Sequence, residues 1–226
     1  MTMSGVGAFF DLEILEDSWR LLLHGAEYTL LFSLVGIPLA MATGLLLSFL
    51  ALAPAPFRQF QQWWVTIFRA LPPLVLVVFL FSGLPYLGIR LSPFAVVTWT
   101  FVLNLGAYFC EVFRAGMISV PSGQWEAARS TGLSAVQSMT SIVLPQAFRN
   151  VLPEIISTVI EGVKLSTVGA VVAMPELLFQ ARQVQNLTYN ATPLIAAAMV
   201  YFLALWPFVR LLSRLENRAT GALQGK

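Results

Sequence analysis

Five long apolar runs dominate the pattern of the chain. Each is near the roughly 20 residues that a helix needs to cross a hydrocarbon core of about 30 Å. The runs cover approximately residues 26–52, 63–84, 93–117, 152–174 and 193–212. Lipid offers the backbone no hydrogen-bond partners, so such segments cross a membrane as helices. The pattern therefore predicts an all-α membrane protein with five transmembrane helices in one domain over residues 25–215.

Prolines interrupt several of these runs. Pro38 lies midway along the first run, and Pro72 and Pro73 lie inside the second. A proline inside a helix removes one backbone hydrogen bond and clashes with the preceding turn. We therefore expect a kink at Pro72 and Pro73.

The stretch before the first run mixes apolar and acidic positions. Within residues 9–24, apolar side chains recur at helical spacing, at Phe9, Leu12, Leu15, Trp19, Leu22 and Leu23. Charged residues interrupt the stretch and argue against a membrane span, namely Asp11, Glu13, Glu16, Asp17 and Arg20. Two interpretations are open: a short helix on the membrane surface, or amphipathic packing against the bundle. We treat residues 1–24 as an N-terminal amphipathic segment.

The distribution of lysine and arginine predicts the orientation of the chain. With the N-terminus outside, the inner segments hold nine of these residues: Arg58, Arg69, Arg114, Arg129, Arg149, Arg210, Arg214, Arg218 and Lys226. The outer segments hold three: Arg20, Arg90 and Arg182. Cytoplasmic loops carry the excess of positive residues. The count predicts an outer N-terminus, an inner C-terminus with a cytoplasmic tail over 216–226, and a cytoplasmic loop at about 118–150.

That cytoplasmic loop contains the one long polar stretch, residues 124–145. Its sequence has the start and stop signals of two short helices. Ser122 can cap the first helix, whose first turn would hold Glu126. Gly132 provides the left-handed residue with which helices often end. Ser134 and Gln137 have capping-box spacing and would open a second helix that runs towards Pro145. The first helix, about eight residues long, is too short to be stable alone. We expect a partner to hold it.

Composition supports a membrane protein and excludes several kinds of site. The chain is 58% hydrophobic and 11% charged, whereas soluble domains carry about 25% charged residues. The net charge of +2 gives no support for a nucleic-acid partner, and the first residues do not have the basic character of a cleavable signal peptide. Cys110 is the single cysteine and His24 the single histidine. We expect no disulfide, no metal site and no catalytic triad within the chain.

A phosphate-binding loop is also missing. The pattern G-x-x-x-x-G-K-[ST] does not occur, and the C-terminal GALQGK has the wrong spacing. The chain therefore contains no catalytic residue for ATP hydrolysis and no cofactor site of its own. Any energy from ATP must come from a second protein.

Several polar residues lie inside the predicted spans, where charge is costly. Glu161 and Lys164 are three residues apart and share a helix face, so they either pair with each other or line a solute path. An unpaired Glu161 would favour a basic substrate. Asn104 and Tyr108 could offer hydrogen bonds to a solute, or Asn104 could join two helices. Ser166 is a further candidate for the path, although Ser166 and Thr167 can also bond to their own helix backbone.

Glu111 and Arg114 have the same three-residue spacing near the inner end of the third span. We interpret them as a structural ion pair that fixes the approach to the polar loop. A contact at a gate is the alternative.

The spacing of the polar stretch resembles a known motif, the EAA loop of the membrane subunits of ABC importers. The match comprises Glu126-Ala127-Ala128, Gly132 after three residues, Ile142 after nine, and Leu144-Pro145 after one. In that family the loop is cytoplasmic and docks into a cleft on the ATP-hydrolysing subunit. The resemblance implies that Glu126, Ala127, Ala128, Gly132, Ile142, Leu144 and Pro145 couple this chain to an ATPase.

The likeness extends over about residues 25–215 and is greatest to the polar amino acid permeases, the histidine, glutamate and glutamine type of uptake system. Motifs that carry it include Gly83-Leu84-Pro85, Glu111, Arg114-Ala115-Gly116, and Leu144-Pro145-Gln146-Ala147-Phe148-Arg149. Two segments depart from the family pattern. The usual Lys-Asp-Thr-Ser-Leu reads Lys164-Leu165-Ser166-Thr167-Val168, and Arg-Gly-Thr-Pro reads Arg69-Ala70-Leu71-Pro72. Both departures weaken an inference about which amino acid is moved.

The resemblance implies a fold, partners and a location. The fold is that of the ABC importer permease (MetI-like) type. The partners are ABC ATPase subunits that bind ATP-Mg, a second permease subunit identical or paralogous to this one, and an extracytoplasmic solute-binding protein. The location is the bacterial cytoplasmic (inner) membrane. The expected function is ATP-driven import of polar, possibly basic, amino acids, with the pathway formed by a dimer.

Two other classes of function compete with this interpretation. An ion-coupled secondary amino acid carrier could use Glu161 and Lys164 but would need no docking loop. A membrane enzyme would need a nucleophile and a base at helical spacing, and the sequence offers no convincing pair.

Overall fold

A computed structural model describes residues 10–224. Phe9 of the predicted amphipathic segment, together with the rest of residues 1–9, lies outside the described residues. So do residues 225–226, which include Lys226 of the predicted cytoplasmic tail. Every regular element within residues 10–224 is helical, and that part of the chain contains no strand. The prediction of an all-α protein is confirmed.

Eleven α-helices make up the described chain. They are α1 (Leu12–Leu50), α2 (Ala55–Ala70), α3 (Pro73–Val78), α4 (Pro93–Thr100), α5 (Gly106–Ser119), α6 (Ser122–Ser130), α7 (Ala135–Ser138), α8 (Leu144–Asn150), α9 (Leu152–Leu165), α10 (Leu177–Thr188) and α11 (Thr192–Gln224). Several are extended without a break by π-helical turns at Phe79–Gly83, Phe101–Leu105 and Met139–Val143, or by 3-10 turns at Leu84–Leu87 and Ser166–Val172.

Four helical segments of the described chain are long and apolar enough to cross a membrane. They are Leu12–Leu50, Pro93–Ser119, Leu152–Val172 and Thr192–Leu215. The second predicted span differs from our expectation of a kinked helix. Its two parts, Ala55–Ala70 and Pro73–Leu87, meet at 98°. Pro72 and Pro73 each lack the N–H that would continue α2, so α2 ends and a new helix starts in another direction.

The N-terminal segment also differs from expectation. We predicted a short helix separate from the first span, but α1 runs unbroken over 39 residues from Leu12 to Leu50. The acidic positions therefore occupy the first turns of a long helix. Ser18 and Leu22 of this stretch are buried, and the backbone N–H of Asp11 donates to Thr192 Oγ1 at 2.7 Å. These contacts favour packing against the helices over a free surface helix.

The helices form two compact units. The first comprises residues 10–37, 72–101 and 160–210 of the described chain. One of its cores contains Leu22, Leu177, Ala181 and Ala197, and edge-to-face aromatic contacts join Phe32 to Phe94 and Phe101 at 5.5 and 4.8 Å. These contacts tie α10, α11 and α4 to the first half of α1.

The second unit comprises residues 38–71, 102–159 and 211–224 of the described chain. Its core contains Leu47, Val65, Ala107 and Cys110, which join the second half of α1 to α2 and α5. The closest approach occurs at Gly44. A Cβ built there would lie 2.8 Å from Cys110 N and 2.8 Å from Gly106 O, and closer still to Phe109 Cβ. The helices can be this close because Gly44 has no side chain.

Substitution of Gly44 should therefore destabilise the second unit. In Gly44→Leu the new side chain would meet the backbone of α5, which cannot rotate away as a side chain can. We expect a loss of about 3 kcal/mol, the upper end for an overpacked core. The measurement is the thermal unfolding midpoint of the purified protein in detergent. Gly123→Ala is the control, because a Cβ at Gly123 meets nothing within 4 Å. An unchanged midpoint for Gly44→Leu would contradict the close packing of α1 and α5.

Candidate functional site

The polar stretch folds as a helical hairpin, α6 followed by the continuous helical segment from Ala135 to Asn150. We call residues 122–150 the coupling hairpin. The predicted start of α6 is wrong by one residue. Pro121 occupies the cap position without a side-chain hydrogen bond, and Ser122 is the first helical residue. Glu126 consequently lies beyond the first turn. The ring of Pro121 holds its φ at −56°, and its ψ of 138° is extended, so the chain enters α6 from an extended residue and without a side-chain cap.

Gly132 forms the turn of the hairpin. Its φ is +84°, which confirms the predicted left-handed residue, and its N–H donates to Arg129 O at 3.1 Å. A Cβ at this position would meet nothing within 4 Å. The requirement for glycine is therefore conformational and not one of space.

The predicted capping box after this turn is confirmed. Ser134 Oγ accepts from the Gln137 N–H at 3.2 Å, and Gln137 Oε1 accepts from the Ser134 N–H at 2.8 Å. The helix that it opens does not end near Pro145, as we expected, but continues to Asn150. The π-helical turn Met139–Val143 precedes Pro145, and widening of this kind is one way for a helix to accommodate a local mismatch in its hydrogen bonds.

Three contacts fasten the end of the hairpin to α5. The rings of Phe113 and Phe148 stack at 6.1 Å, and Asn150 Nδ2 donates to Ser119 Oγ at 2.9 Å. Gly116 lies against α8, since a Cβ there would be 2.9 Å from Ala147 O. A displacement of α8 must therefore be shared by α5, the C-terminal half of the helical segment Pro93–Ser119.

The other end of the hairpin is open to solvent. Glu126, Ala127 and Gly132 are exposed, and 71% of Val136 is accessible. Ala128 and Val143 face inward and are the buried residues where α6 packs on the π-helical turn. Ile142 and Leu144 are half-buried, and Pro145 is exposed. The hairpin has the features of a protein-binding element. Its interior is small and apolar, and its exposed end around Gly132 and Val136, which we call the tip, is polar and aliphatic.

Glu111 and Arg114 pair with each other, while the role of this pair in fixing the approach to the coupling hairpin stays a prediction. Arg114 Nε and Nη2 donate to the two Glu111 oxygens at 3.0 and 2.7 Å. Sequence reasoning missed a third member, Arg69, whose Nη1 lies 4.0 Å from Glu111 Oε2. The guanidinium of Arg69 also stacks over the ring of Tyr108 at 5.1 Å. The three-residue spacing revealed the local pair, but no local signal connects Arg69 on α2 with α5.

The Asn104 side chain joins two helices. Its Nδ2 donates to Phe68 O at 2.6 Å and to Leu71 O at 3.2 Å, and the residue is 2% exposed. These carbonyls belong to the end of α2, where the helix leaves them without an intrahelical partner. Tyr108, one turn further along the helix, is 40% exposed. A role of Asn104 and Tyr108 in a solute path stays a prediction.

Glu161 and Lys164 pair with each other. Lys164 Nζ donates to Glu161 Oε1 at 2.7 Å, and more than half of each side chain is exposed. Ser166 differs, since it is fully buried and its hydroxyl donates to Val163 O at 2.7 Å, while Thr167 donates to Lys164 O at 2.8 Å. The Glu161–Lys164 pair is thus open to a ligand, and the Ser166 hydroxyl is not.

Glu176 is a buried acid that sequence reasoning did not single out. It is 0% exposed and caps α10 by accepting from the N–H groups of Leu178 at 2.9 Å and Phe179 at 2.7 Å. Tyr201 Oη donates to Glu176 Oε2 at 3.0 Å, the oxygen that also accepts from the Leu178 N–H. Burial raises the pKa of this carboxyl above its ordinary value, although these hydrogen bonds oppose the shift. A carboxylate directly before an apolar helix was the available signal.

Comparison with known proteins agrees with the geometry. Residues 36–221 match the family described as binding-protein-dependent transport system inner membrane component. The chain is 34% identical over 210 residues to "Probable glutamine ABC transporter permease protein GlnP" of Bacillus subtilis (strain 168), with 91% of this chain and 96% of the relative covered. It is 33% identical over 195 residues to "Probable amino-acid ABC transporter permease protein YckA" of the same organism, with 85% and 86% covered.

A solved structure gives the same result for the fold. The crystal structure of an amino acid ABC transporter with histidines superposes with a TM-score of 0.83 and 28% identity. The superposition covers 96% of this chain and all of the other. The MetI-like helical architecture that the sequence predicts is therefore confirmed.

These matches cover most of the chain. Within residues 10–224, no group of His, Cys, Asp and Glu side chains could hold a metal ion. Its several apolar helices make it a multi-pass membrane protein. The chain belongs to the binding-protein-dependent transport system inner membrane component family and is the permease subunit of an ABC importer for amino acids.

Proposed function

We propose that this subunit imports polar amino acids across the bacterial cytoplasmic membrane, with the N-terminus outside. It would act as a homodimer or with a paralogous permease, with two ATPase subunits inside and a solute-binding protein outside. The observation that carries this proposal is the coupling hairpin, whose exposed tip combines the EAA spacing with a left-handed Gly132. ATP-Mg would be bound by the partner subunits, because this chain has no phosphate-binding loop.

The route of coupling follows from the contacts of the hairpin. A partner that displaces α6 and the π-helical turn also moves α8, which is continuous with that turn. The Phe113–Phe148 stack and the close contact at Gly116 then transfer the displacement to α5. Packed helices move as rigid elements more readily than they deform. Closure of the ATPase pair would in this way move the membrane span and alternate the pathway between inward-open and outward-open forms.

The Glu161–Lys164 pair supports a zwitterionic substrate. A free Glu161 would favour a basic amino acid, but this carboxylate already accepts from Lys164 at 2.7 Å. The pair therefore presents one negative and one positive group side by side. An α-amino acid carries an ammonium and a carboxylate at a similar spacing, so both of its charges can find a partner. We propose recognition of the amino acid backbone, with no preference for a basic side chain.

Substitution of Gly132 should uncouple transport from ATP hydrolysis. Valine is strongly disfavoured at a φ of +84°, whereas asparagine tolerates the left-handed region. In proteoliposomes with the ATPase subunits and the loaded binding protein, we expect Gly132→Val to lower uptake per ATP hydrolysed at least tenfold. Gly132→Asn should retain most of the wild-type ratio. Both side chains enter open space, so any difference between them reports on the turn.

Gel filtration of the purified complex is the control, because it shows whether both variants fold and assemble with the ATPase subunits. Normal coupling in Gly132→Val would show that the left-handed turn is not required.

Substitution of Glu161 tests the proposed recognition of the amino acid backbone. In Glu161→Gln the site keeps its shape but loses its negative charge and leaves Lys164 unpaired. We expect the KM for uptake to rise about tenfold for glutamine and arginine alike, as for the loss of one charged hydrogen bond. Glu154→Gln is the matched control, because Glu154 is an exposed acid in the first turn of the same helix.

An unchanged KM would assign the pair to structure alone, since exposed ion pairs contribute little to stability. A rise confined to arginine would instead contradict the absence of a basic preference.

A further inference from the structure

The second unit contains a cavity, lined by both polar and apolar side chains, that has no part in the proposed route of coupling. It has a volume of about 710 Å³ and lies between α2, α5 and the end of α1. The α2 residues that line it include Arg58, Gln62, Thr66 and Arg69. They recur at intervals of three or four residues and therefore share one face of the helix. By the lysine and arginine count, the cavity lies on the cytoplasmic side of the membrane.

Positive charge is in excess in this cavity. Three arginines line it, Arg58, Arg69 and Arg114, and Glu111 is the single acid among its lining residues. Glu111 is already committed to Arg114, which donates two hydrogen bonds at 3.0 and 2.7 Å. One carboxylate therefore faces three guanidinium groups, and the lining residues of the cavity carry a net positive charge.

Arg69 is poorly paired by comparison. Its Nη1 is 4.0 Å from Glu111 Oε2, which is too long for a hydrogen bond. Within residues 10–224 no hydrogen bond from its guanidinium is present. The stack over Tyr108 at 5.1 Å fixes the plane of the group and leaves its N–H edge available. The side chain is 44% exposed, so a solute can reach it.

A second donor lines the same cavity. Thr66 precedes Arg69 by three residues on the same helix, and its hydroxyl makes no hydrogen bond in the described part of the chain. Arg58 is eleven residues from Arg69, roughly 16 Å along the axis at 1.5 Å per residue. One small anion can therefore contact Arg69 and Thr66 together but not both arginines of α2.

We propose that the Arg69 end of this cavity binds a single oxyanion, held by the Arg69 guanidinium and the Thr66 hydroxyl. A planar guanidinium with two parallel N–H groups matches the two oxygens of a carboxylate or a phosphate. Arg58, nearer the start of α2, attracts the anion without contacting it in the bound position.

Two sources share this chemistry: the carboxylate of a small molecule and the phosphate of a lipid headgroup. Tyr108 belongs both to the cavity and to the predicted solute path. The expected occupant is accordingly the carboxylate of the imported amino acid on the cytoplasmic side, and this assignment of the source rests on the proposed function. The existence of the oxyanion site does not depend on it.

The test is binding of acetate labelled with ¹³C at its carboxylate. The full chain, assembled with its ATPase subunits in phosphatidylcholine nanodiscs, is titrated without ATP, and binding is followed by broadening of the carboxylate resonance. We expect Arg69→Gln to weaken binding at least tenfold and Thr66→Val to weaken it about threefold. Arg90→Gln is the matched control, an exposed arginine that lies outside the coupling hairpin and does not line the cavity, and should bind as the wild type does.

Thr66→Val preserves side-chain volume at an exposed position, so the test does not depend on the stability of Arg69→Gln. Absence of acetate binding to the wild type would overturn the proposal. The proposal would also be overturned if Thr66→Val bound acetate as the wild type does and Arg69→Gln either bound it equally well or failed to fold.

Two further arms identify the source of the oxyanion. For an amino acid carboxylate, glutamine displaces acetate but glutaminamide, which has no carboxylate, does not. For a lipid phosphate, phosphatidylglycerol in the nanodisc removes acetate binding and glutamine has no effect. Either result supports the oxyanion site. Because the assay needs no transport, a protein that binds acetate but fails in uptake would contradict the proposed function and leave this site intact.

Discussion

The packing of α8 against α5 is the interaction on which the functional part of this molecule depends. Helix α6 has nine residues and is polar, so it cannot hold its conformation by itself in water. It is held through the hairpin by a helix that is itself fixed to a membrane span. The missing side chain of Gly116 allows the close approach, and the stacked rings of Phe113 and Phe148 fill the space beside it. A surface element held so firmly can transmit a displacement.

Polar groups within the helical spans follow a second constraint, because lipid cannot solvate them. Glu161 pairs with Lys164, Glu111 with Arg114, and the Asn104 amide binds the carbonyls that end α2. Each pairing uses partners within one unit. Arg69 departs from this rule, since it is stacked on an aromatic ring and shares a carboxylate that another arginine already holds. The Arg69 guanidinium, which makes no hydrogen bond within residues 10–224, therefore faces a cavity that is suited to binding an oxyanion.

The sequence was most informative where structure depends on local chemistry. The apolar runs predicted the spans, and the spacing of Gly132, Ser134 and Gln137 predicted the turn and the capping box of the hairpin. Ion pairs three residues apart were also predictable, because one helix turn brings their side chains together.

The remaining features depend on contacts distant in sequence or on small differences in local energy. Nothing within residues 9–24 shows that the helix continues through to Leu50, since this depends on packing partners such as Thr192. The 98° bend at Pro72 was expected only as a kink, because two prolines define a break but not its angle. Burial of Glu176 against Tyr201 and the stack of Arg69 on Tyr108 bring together residues from different helices.

We propose that the tip of the coupling hairpin binds the ATPase subunit. The most direct measurement is site-specific crosslinking in the assembled transporter. The native Cys110 is fully buried, so a cysteine introduced at an exposed position can be labelled selectively with a photoactivatable reagent. Val136→Cys places the label on the hairpin, and Tyr86→Cys places it at a position that is 93% exposed and far from the hairpin in sequence. We expect an adduct with the ATPase subunit from position 136 and none from position 86. An adduct from position 86, or none from position 136 in a complex that hydrolyses ATP, would contradict binding at the tip of the hairpin.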